Sequence, residues 1–145
     1  PVWAAVNEAA ISSYINDDTS SPEGYTDPWK PEYNSDPTTS ITVKWDEGAS
    51  NEEKLERIIT QKWIAIFPLG NEAWAEYRRT GYPKLMPAKD NKSGGTVNSK
   101  YGMRRLPYPS EEYSENRTNV EAAITSLGGP DNGGTRTWWD CKPLN

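Results

Sequence analysis

The chain has 145 residues, a mass of 16.3 kDa and a formal net charge of −5, which fits one domain. It has no His and a single Cys, so His-dependent catalysis, His-based metal sites and an internal disulfide are excluded within these residues. The acidic balance argues against a nucleic-acid binder, whose phosphate contacts need clustered Lys and Arg.

The aliphatic content is low. Leu, Ile, Val and Phe account for 20 of the 145 residues, or about 14%. A share below roughly 20% is typical of disordered chains. However, the net charge is modest, and seven Trp and eight Tyr can each remove about 150–250 Å² from water. We therefore expect a folded chain with a small core, long irregular segments, no metal site and no cofactor.

The first 50 residues predict one helix followed by a long loop. An apolar stripe that includes Val2 and Val6 predicts a helix over residues 2–16, and turn-forming residues follow it. Residues 19–50 contain four Pro among Ser, Thr, Asp and Asn and predict a loop. Within it, the alternation over residues 41–45 predicts one short strand.

Residues 51–80 predict a helical hairpin. Ser50 and Glu53 have the spacing of a capping box, and apolar residues at helical spacing predict a helix over 51–67 that Pro68 breaks. A second helix is predicted over 72–80, capped by Asn71 and ended by Gly81. The side chains expected to be largely buried here are Leu55, Ile58, Ile59, Trp63, Ile66 and Trp74.

Residues 81–145 predict an irregular region with one helix. Residues 92–96 predict a turn, and the two Pro within 104–109 predict an extended segment. A last helix is predicted over about 116–127, where Gly128 closes it, and the acidic pair before it would complement its N-terminal dipole. The predicted division is therefore 1–18 helix, 19–50 variable loop, 51–80 helical hairpin and 81–145 irregular.

Several blocks of the second half together resemble a known family. They are QKWIAIF at 61–67, EAWAEYRRTGYP at 72–83, RRLPYPSEEYS at 104–114, NVEAAI at 119–124 and WWD at 138–140. In this order, over roughly residues 55–140, they resemble the C-terminal part of the SusD/RagB family. The resemblance implies a single C-terminal fragment of a SusD-like domain, whose tetratricopeptide-like helical scaffold lies mostly upstream of this chain.

The resemblance also implies a function. SusD-like proteins are nutrient-binding lipoproteins of Bacteroidetes that partner a SusC-like TonB-dependent transporter. By resemblance, the protein lies on the cell-surface side of the outer membrane, is lipid-anchored through an N-terminal Cys that this chain lacks, and binds an oligosaccharide for import without catalysis. The alternatives are a helical interaction module that only docks the transporter and an accessory domain of a polysaccharide hydrolase.

Four aromatic residues in the polar loop are the candidate ligand-binding residues. Sugars stack on flat apolar rings, and rings in a polar loop tend to stay exposed. The candidates are Trp29, Tyr33, Tyr25 and Trp45, with Trp29 and Tyr33 favoured. The competing interpretation is that each ring packs the loop onto the body of the protein.

Charged and aromatic residues in the second half favour structural roles. We expect Trp74, Tyr77 and Arg78 to pack together, and Arg104 and Arg105 to face solvent or bridge elements rather than form an anion site. The acidic pair at 111–112 is adjacent in sequence and so does not predict a glycosidase pair, and no catalytic residue is assigned.

Overall fold

The computed structural model describes residues 7–143 and is mainly α-helical with long irregular loops. Within this range it contains five α-helices and a short 3₁₀ helix: α1 (Glu8–Ile15), the 3₁₀ helix (Pro31–Tyr33), α2 (Asn51–Ala65), α3 (Gly70–Thr80), α4 (Ser110–Glu115) and α5 (Arg117–Leu127). None of the helices in this range is long and apolar enough to cross a bilayer. The predicted fold class is confirmed.

Residues 7–143 form no β-strand, so the strand predicted over 41–45 is wrong. The only strand-like pairing in this range is an isolated antiparallel bridge between Tyr25 and Ser35. Ile41 and Val43 are half-buried and line a cavity together with residues of α2. This segment therefore packs near α2, and the described residues include no second extended segment beside it to form a ladder.

α1 begins at Glu8 and is preceded by Asn7, whose side-chain oxygen accepts a hydrogen bond from the Ala10 amide at 3.0 Å. This Asn caps the helix and satisfies one of its free amide groups. Val2 and Val6 of the predicted stripe lie outside the described residues. No residue of the described helix is buried, and Ile11 and Ile15 are about half exposed.

The hairpin of α2 and α3 forms as predicted, with shifted ends. The capping box is present: the Ser50 hydroxyl accepts from the Glu53 amide and the Glu53 carboxylate accepts from the Ser50 amide at 2.9 Å. Gly81 ends α3 in the left-handed conformation with φ of 76°. Asn71 is not the cap of α3, because the Leu69 carbonyl already accepts from the Ala73 amide and starts the helix earlier.

The region after residue 109 holds two helices where the sequence predicted one. α4 follows Pro109 directly, and Asn116, with a non-helical φ of −136°, separates it from α5. Glu111 and Glu112 therefore lie in the first turn of α4 rather than before the last helix. In that position they still complement a helix N-terminus, as the sequence suggested. Gly128 ends α5 in the left-handed conformation.

The core is small and half polar. The buried hydrophobic residues are Ile59, Ala73, Tyr77, Tyr82 and Val120, and the buried polar ones are Glu56, Thr80, Arg104, Arg105 and Asp140. Of the six side chains expected to be largely buried, only Ile59 is fully so. Ile58 is 53% exposed, so its prediction is wrong. Adjacent residues lie about 100° apart around a helix, so Ile58 and Ile59 cannot both face a narrow buried side. Only Ile59 does, because the buried side of α2 is narrower than its apolar stripe.

The surface is large for the mass. The accessible area is 10,483 Å², whereas a compact monomer of this mass exposes about 7,500 Å². The chain therefore exposes more surface than a compact monomer of its mass. Large apolar side chains account for part of it, since Phe67 is 85% exposed and Leu69 and Ile64 are more than half exposed.

A buried ion pair joins the irregular C-terminal segment to α3. The Arg104 guanidinium donates to the Asp140 carboxylate at 2.7 and 2.5 Å, and the two side chains are 4% and 0% exposed. Arg104 also donates to the Arg78 carbonyl at 2.8 Å, and Arg78 donates back to the Arg104 carbonyl at 2.9 Å. The Arg78 guanidinium lies 3.7 Å from the centre of the Trp74 ring and 4.7 Å from that of Trp139.

A second buried pair organises the region around α4. Asp131 pairs with Arg105 and also accepts from the Tyr108 amide at 3.0 Å and the Tyr113 hydroxyl at 2.6 Å.

Burial alone would raise the pKa of the Asp131 carboxyl, but these bonds outweigh burial and lower that pKa. For Asp140, burial likewise opposes Arg104 and Arg136, and the pKa is again lowered below 3.8. Both carboxylates are therefore held ionised.

Removing Asp140 should strongly destabilise the fold. In Asp140→Ala the buried Arg104 charge loses its partner, and we expect the free energy of unfolding to fall by about 3–5 kcal/mol. The matched control is Glu121→Ala, which removes the exposed pair with Arg117 and should cost less than about 0.5 kcal/mol. Urea unfolding followed by tryptophan fluorescence measures both. Equal small losses would contradict the importance of the buried pair.

The fold should also lose stability in acid. A carboxyl whose folded pKa is lowered contributes stability that is complete above its unfolded pKa of about 3.9 and is lost as the pH falls through the folded pKa. The urea midpoint should therefore decrease steeply from about pH 4 to pH 2. Other carboxyls contribute, so the comparison is with Asp140→Asn, whose midpoint should depend less on pH. Parallel pH profiles for the two proteins would rule out Asp140 as a source of acid sensitivity.

Candidate functional site

Two of the four candidate aromatics line one cavity. Tyr25 and Tyr33 contribute to a cavity of about 370 Å³ together with Asp27, Ser35, Met86, Pro87, Lys89 and Asp90. This volume lies in the range of about 300–1,000 Å³ that is typical of small-molecule sites. Trp29 belongs to the same loop and is 85% exposed, but it does not line the cavity. The structure therefore places three of the candidates on one loop.

The first wall of the cavity is a loop closed on itself. Tyr25 and Ser35 exchange two backbone hydrogen bonds of 2.8 and 2.9 Å. Gly24 allows this close approach, because a Cβ at that position would lie 2.8 Å from the Ser35 carbonyl oxygen. The closure fixes the separation of the two tyrosines before any ligand binds.

Asp27 holds the tip of the loop. Its carboxylate accepts from the Trp29 amide at 2.9 Å, the Lys30 amide at 2.8 Å and the Tyr25 hydroxyl at 3.1 Å. The two amide bonds are the main reason that the pKa of the Asp27 carboxyl is lowered. Since both carboxylate oxygens are already engaged, Asp27 shapes the wall rather than contributing a free acceptor to the cavity.

The second wall was not predicted from the sequence. It comes from Met86, Pro87, Lys89 and Asp90, about 50 residues away along the chain. Met86 and Pro87 are apolar, whereas Lys89 and Asp90 carry opposite charges. Nothing local to this segment indicated a site, because only its contact with the first loop makes it one. The information needed is the contact between these two segments, which are distant along the chain, and a single sequence does not contain that information.

The two walls are joined through α2. Glu56 of α2 is buried; it accepts from the Thr39 hydroxyl at 2.5 Å and pairs with the Lys84 ammonium at 2.8 Å. Beside it, the Thr38 hydroxyl donates to the Lys84 carbonyl. Thr38 and Thr39 follow the first wall, and Lys84 precedes the second. Glu56 therefore fixes both walls to one helix, although it does not line the cavity itself.

The remaining candidate, Trp45, has a different environment. Its indole N–H donates to Glu47 at 2.8 Å, and the Lys54 ammonium lies 5.8 Å from its ring centre. Trp45 does not line the cavity. These contacts agree with the competing interpretation, in which the ring packs the loop onto α2, and its role in binding remains a prediction.

The charged residues of the second half have the structural roles that the sequence favoured. Arg78 stacks on aromatic rings, and Arg104 and Arg105 pair with buried carboxylates. Among residues 7–143, no group of three or more Cys, Asp or Glu side chains is arranged to hold a metal ion. The described part of the chain thus offers a small aromatic cavity with polar groups at its rim.

A second cavity, of about 460 Å³, lies at the corner between α2 and α3. Trp63, Phe67, Leu69, Trp74 and Met103 contribute to it, and no charged residue lines it. Ligand sites combine apolar surface with a few placed polar groups. The cavity between Tyr25 and Asp90 has that combination and the apolar groove does not, so we take the first cavity as the candidate site.

The profile of the SusD-like family, described as "Susd and RagB outer membrane lipoprotein", matches residues 3–140. The chain belongs to the SusD-like family, as its sequence blocks indicated. The family description places the protein among outer-membrane lipoproteins. No curated protein matches the chain.

Solved structures of SusD homologues resemble the chain closely. A chitin-binding SusD homologue from Flavobacterium johnsoniae is 52% identical over 91% of this chain, with a TM-score of 0.85. A SusD homologue from Bacteroides uniformis is 58% identical over 91% of this chain, with a TM-score of 0.84. One from Bacteroides ovatus is 46% identical over 96%, with a TM-score of 0.82.

The chain spans only part of these relatives. It covers 27% of the Flavobacterium johnsoniae chain, 28% of the Bacteroides uniformis chain and 29% of the Bacteroides ovatus chain. It therefore has the fold of a portion of a SusD homologue, and the large exposed apolar surface is consistent with a part of a larger fold.

Glu56 should matter for the cavity without touching a ligand. In Glu56→Ala the Lys84 ammonium and the Thr39 hydroxyl lose their partner, and the free energy of unfolding should fall by about 1–3 kcal/mol. The two walls should also loosen, which hydrogen exchange at residues 84–90 would detect. The isosteric Glu56→Gln keeps an acceptor for Thr39 and should lose less. Unchanged exchange in the Ala variant would show that Glu56 does not fix the wall.

Proposed function

We propose that this chain is part of a non-catalytic outer-membrane protein that binds a glycan for import, and that it contributes a binding site between Tyr25 and Asp90. The observation that carries the proposal is membership of the SusD-like family, with 52% identity to a chitin-binding homologue over 91% of the chain. The candidate cavity supplies a physical means of binding, because two aromatic rings and a polar rim suit a sugar ring.

The rings of Tyr25 and Tyr33 are suited to stacking. Tyr25 is 48% exposed, and the Asp27 bond to its hydroxyl fixes the orientation of its ring. The Lys30 ammonium lies 5.1 Å from the centre of the Tyr33 ring; this contact favours one orientation of that ring and polarises it. Rings held in place before binding lose little entropy when a ligand stacks on them. Trp29, on the tip of the same loop, would extend the platform to a second sugar unit.

Catalysis is not part of the proposal. The chain has no His, and the carboxylates near the cavity do not form a free pair: Asp27 is fully engaged, and one oxygen of Asp90 is paired with Lys92 at 2.8 Å. Glycosidases need two available carboxyl groups on opposite sides of the scissile bond. We therefore expect the bound glycan to be released unchanged.

The lipid anchor, the cell-surface location and the transporter partner are also proposals. By its family, the protein would be lipid-anchored on the cell-surface side and deliver its ligand to a SusC-like TonB-dependent transporter. Chitin-type oligosaccharides are the first ligands to test, since a similar protein is described as chitin-binding. A module that only docks the transporter would bind the transporter and no sugar.

Binding should depend on the loop aromatics. We expect Tyr33→Ala to weaken binding of chitotetraose by the full-length protein about tenfold, because one stacked ring contributes on the order of 1.4 kcal/mol. Trp29→Ala should weaken longer oligomers more than short ones. The control is Trp138→Ala, which removes a Trp that is 88% exposed on the C-terminal segment and should change nothing.

Isothermal titration calorimetry measures these affinities, and chromatography of the recovered sugar tests for cleavage. Equal affinities for the wild type, Tyr33→Ala and Trp29→Ala would move the glycan site out of this loop. Recovery of shortened sugar would contradict the non-catalytic proposal. Transporter binding without any sugar binding would favour the docking module.

A further inference from the structure

The second wall of the cavity has a chemical character that the first wall lacks. The first wall presents two aromatic rings and an aspartate that its own loop engages fully. The second presents two apolar residues, Met86 and Pro87, followed by a cation and an anion, Lys89 and Asp90. A neutral sugar that stacks on the first wall would therefore face an apolar patch next to a hydrogen-bond donor and an acceptor.

The donor and the acceptor on this wall are free to bind a ligand. Among residues 7–143, Lys89 forms no salt bridge, whereas Lys84 and Lys92 on either side of it are both paired. Asp90 pairs through one carboxylate oxygen with Lys92, which leaves the other oxygen as an acceptor. Lys92 is mostly exposed, so this pair orients Asp90 without closing the cavity. Ser35 contributes its backbone to the loop closure and is not needed for this recognition.

We propose that the second wall recognises the acetamido group of a 2-acetamido sugar. The amide C=O would accept a hydrogen bond from the Lys89 ammonium, the amide N–H would donate to the free Asp90 oxygen, and the methyl group would contact Met86 and Pro87. A hydroxyl at the same ring position cannot satisfy donor, acceptor and apolar patch together. The inference rests on the proposed function and adds a sugar class and the residues that select it.

The charges of the surrounding residues do not by themselves favour an ionic ligand. The first loop, residues 22–37, carries Glu23, Asp27, Lys30, Glu32 and Asp36, and the second segment, residues 84–92, carries Lys84, Lys89, Asp90 and Lys92. Only Asp27, Lys89 and Asp90 of these line the cavity; Asp27 is bonded within its own loop and Asp90 is paired through one oxygen with Lys92, so no large excess of either charge faces a ligand. An uncharged group with its own dipole, such as an amide, suits this environment better than a free carboxylate or ammonium group.

The test compares three tetrasaccharides with the same β-1,4 backbone: chitotetraose, cellotetraose and fully deacetylated chitotetraose. They differ only in an acetamido, hydroxyl or amino group at one ring position. The full-length wild-type protein should bind chitotetraose about tenfold more tightly than either of the others, as expected when a site built for two hydrogen bonds loses them. Titration calorimetry at fixed salt gives the three affinities.

The variants Lys89→Met and Asp90→Ala, which remove the donor and the acceptor, should each weaken chitotetraose more than cellotetraose and so reduce this preference about three- to tenfold. The control is Lys44→Met, which removes a Lys that is paired with Asp18 outside the cavity and should leave the preference intact. An undiminished preference in both wall variants would overturn the acetamido assignment.

The outcomes separate this inference from the proposed function. If Tyr33→Ala weakens all three sugars while the wall variants change nothing, the glycan site stands and the acetamido inference fails. If the wild type binds none of the sugars, both fail. Preference for the deacetylated sugar, abolished in Asp90→Ala, would show recognition of an ammonium group and would also overturn the inference.

Discussion

The buried pair of Arg104 and Asp140 is the interaction on which this small fold most depends. The chain has few aliphatic residues for an ordinary core, and among residues 7–143 the buried polar side chains are as many as the buried hydrophobic ones. A guanidinium that bonds a carboxylate with two N–H groups and also caps the Arg78 carbonyl satisfies several buried groups at once. It thereby fixes the irregular segments at 101–105 and 136–142 against α3 without a sheet. Such a core is specific in geometry but intolerant of losing one partner.

Buried polar contacts also hold irregular segments in place at the cavity, on a smaller scale. Glu56, a buried carboxylate on α2, joins the end of the first loop to the start of the second through Thr39 and Lys84. The cavity thus lies between two irregular segments that are both fixed to one helix. The tyrosines depend further on the Gly24 closure and on Asp27, each of which acts within the first loop. Local and long-range polar contacts together pre-order a site that apolar packing alone would leave loose.

Local signals in the sequence were reliable, and long-range ones were absent. The Ser50–Glu53 capping box, the Gly81 and Gly128 ends and the family blocks all correspond to features of the structure. The error at 41–45 arose because contact with α2 replaced strand pairing. Asn71 was wrong because α3 starts earlier, at the Leu69 carbonyl, and Ile58 because the buried side of α2 is narrow. The loop carrying Tyr25, Trp29 and Tyr33 could be selected from composition, since rings in a polar loop are unusual. The opposing wall could not, because its role depends on contact with a loop 50 residues earlier.

The residues that fix the fold are different from those that line the candidate cavity. The buried Arg–Asp pairs and Glu56 lie outside the cavity, whereas Met86, Pro87, Lys89 and Asp90 contribute to its wall and take no part in the buried pairs. Substitution in the second wall therefore changes what the cavity can bind at little cost to the fold, since such exposed positions tolerate change. In this chain the division between the two sets of residues falls between Lys84, which is paired with the buried Glu56, and Lys89, which remains free to face a ligand.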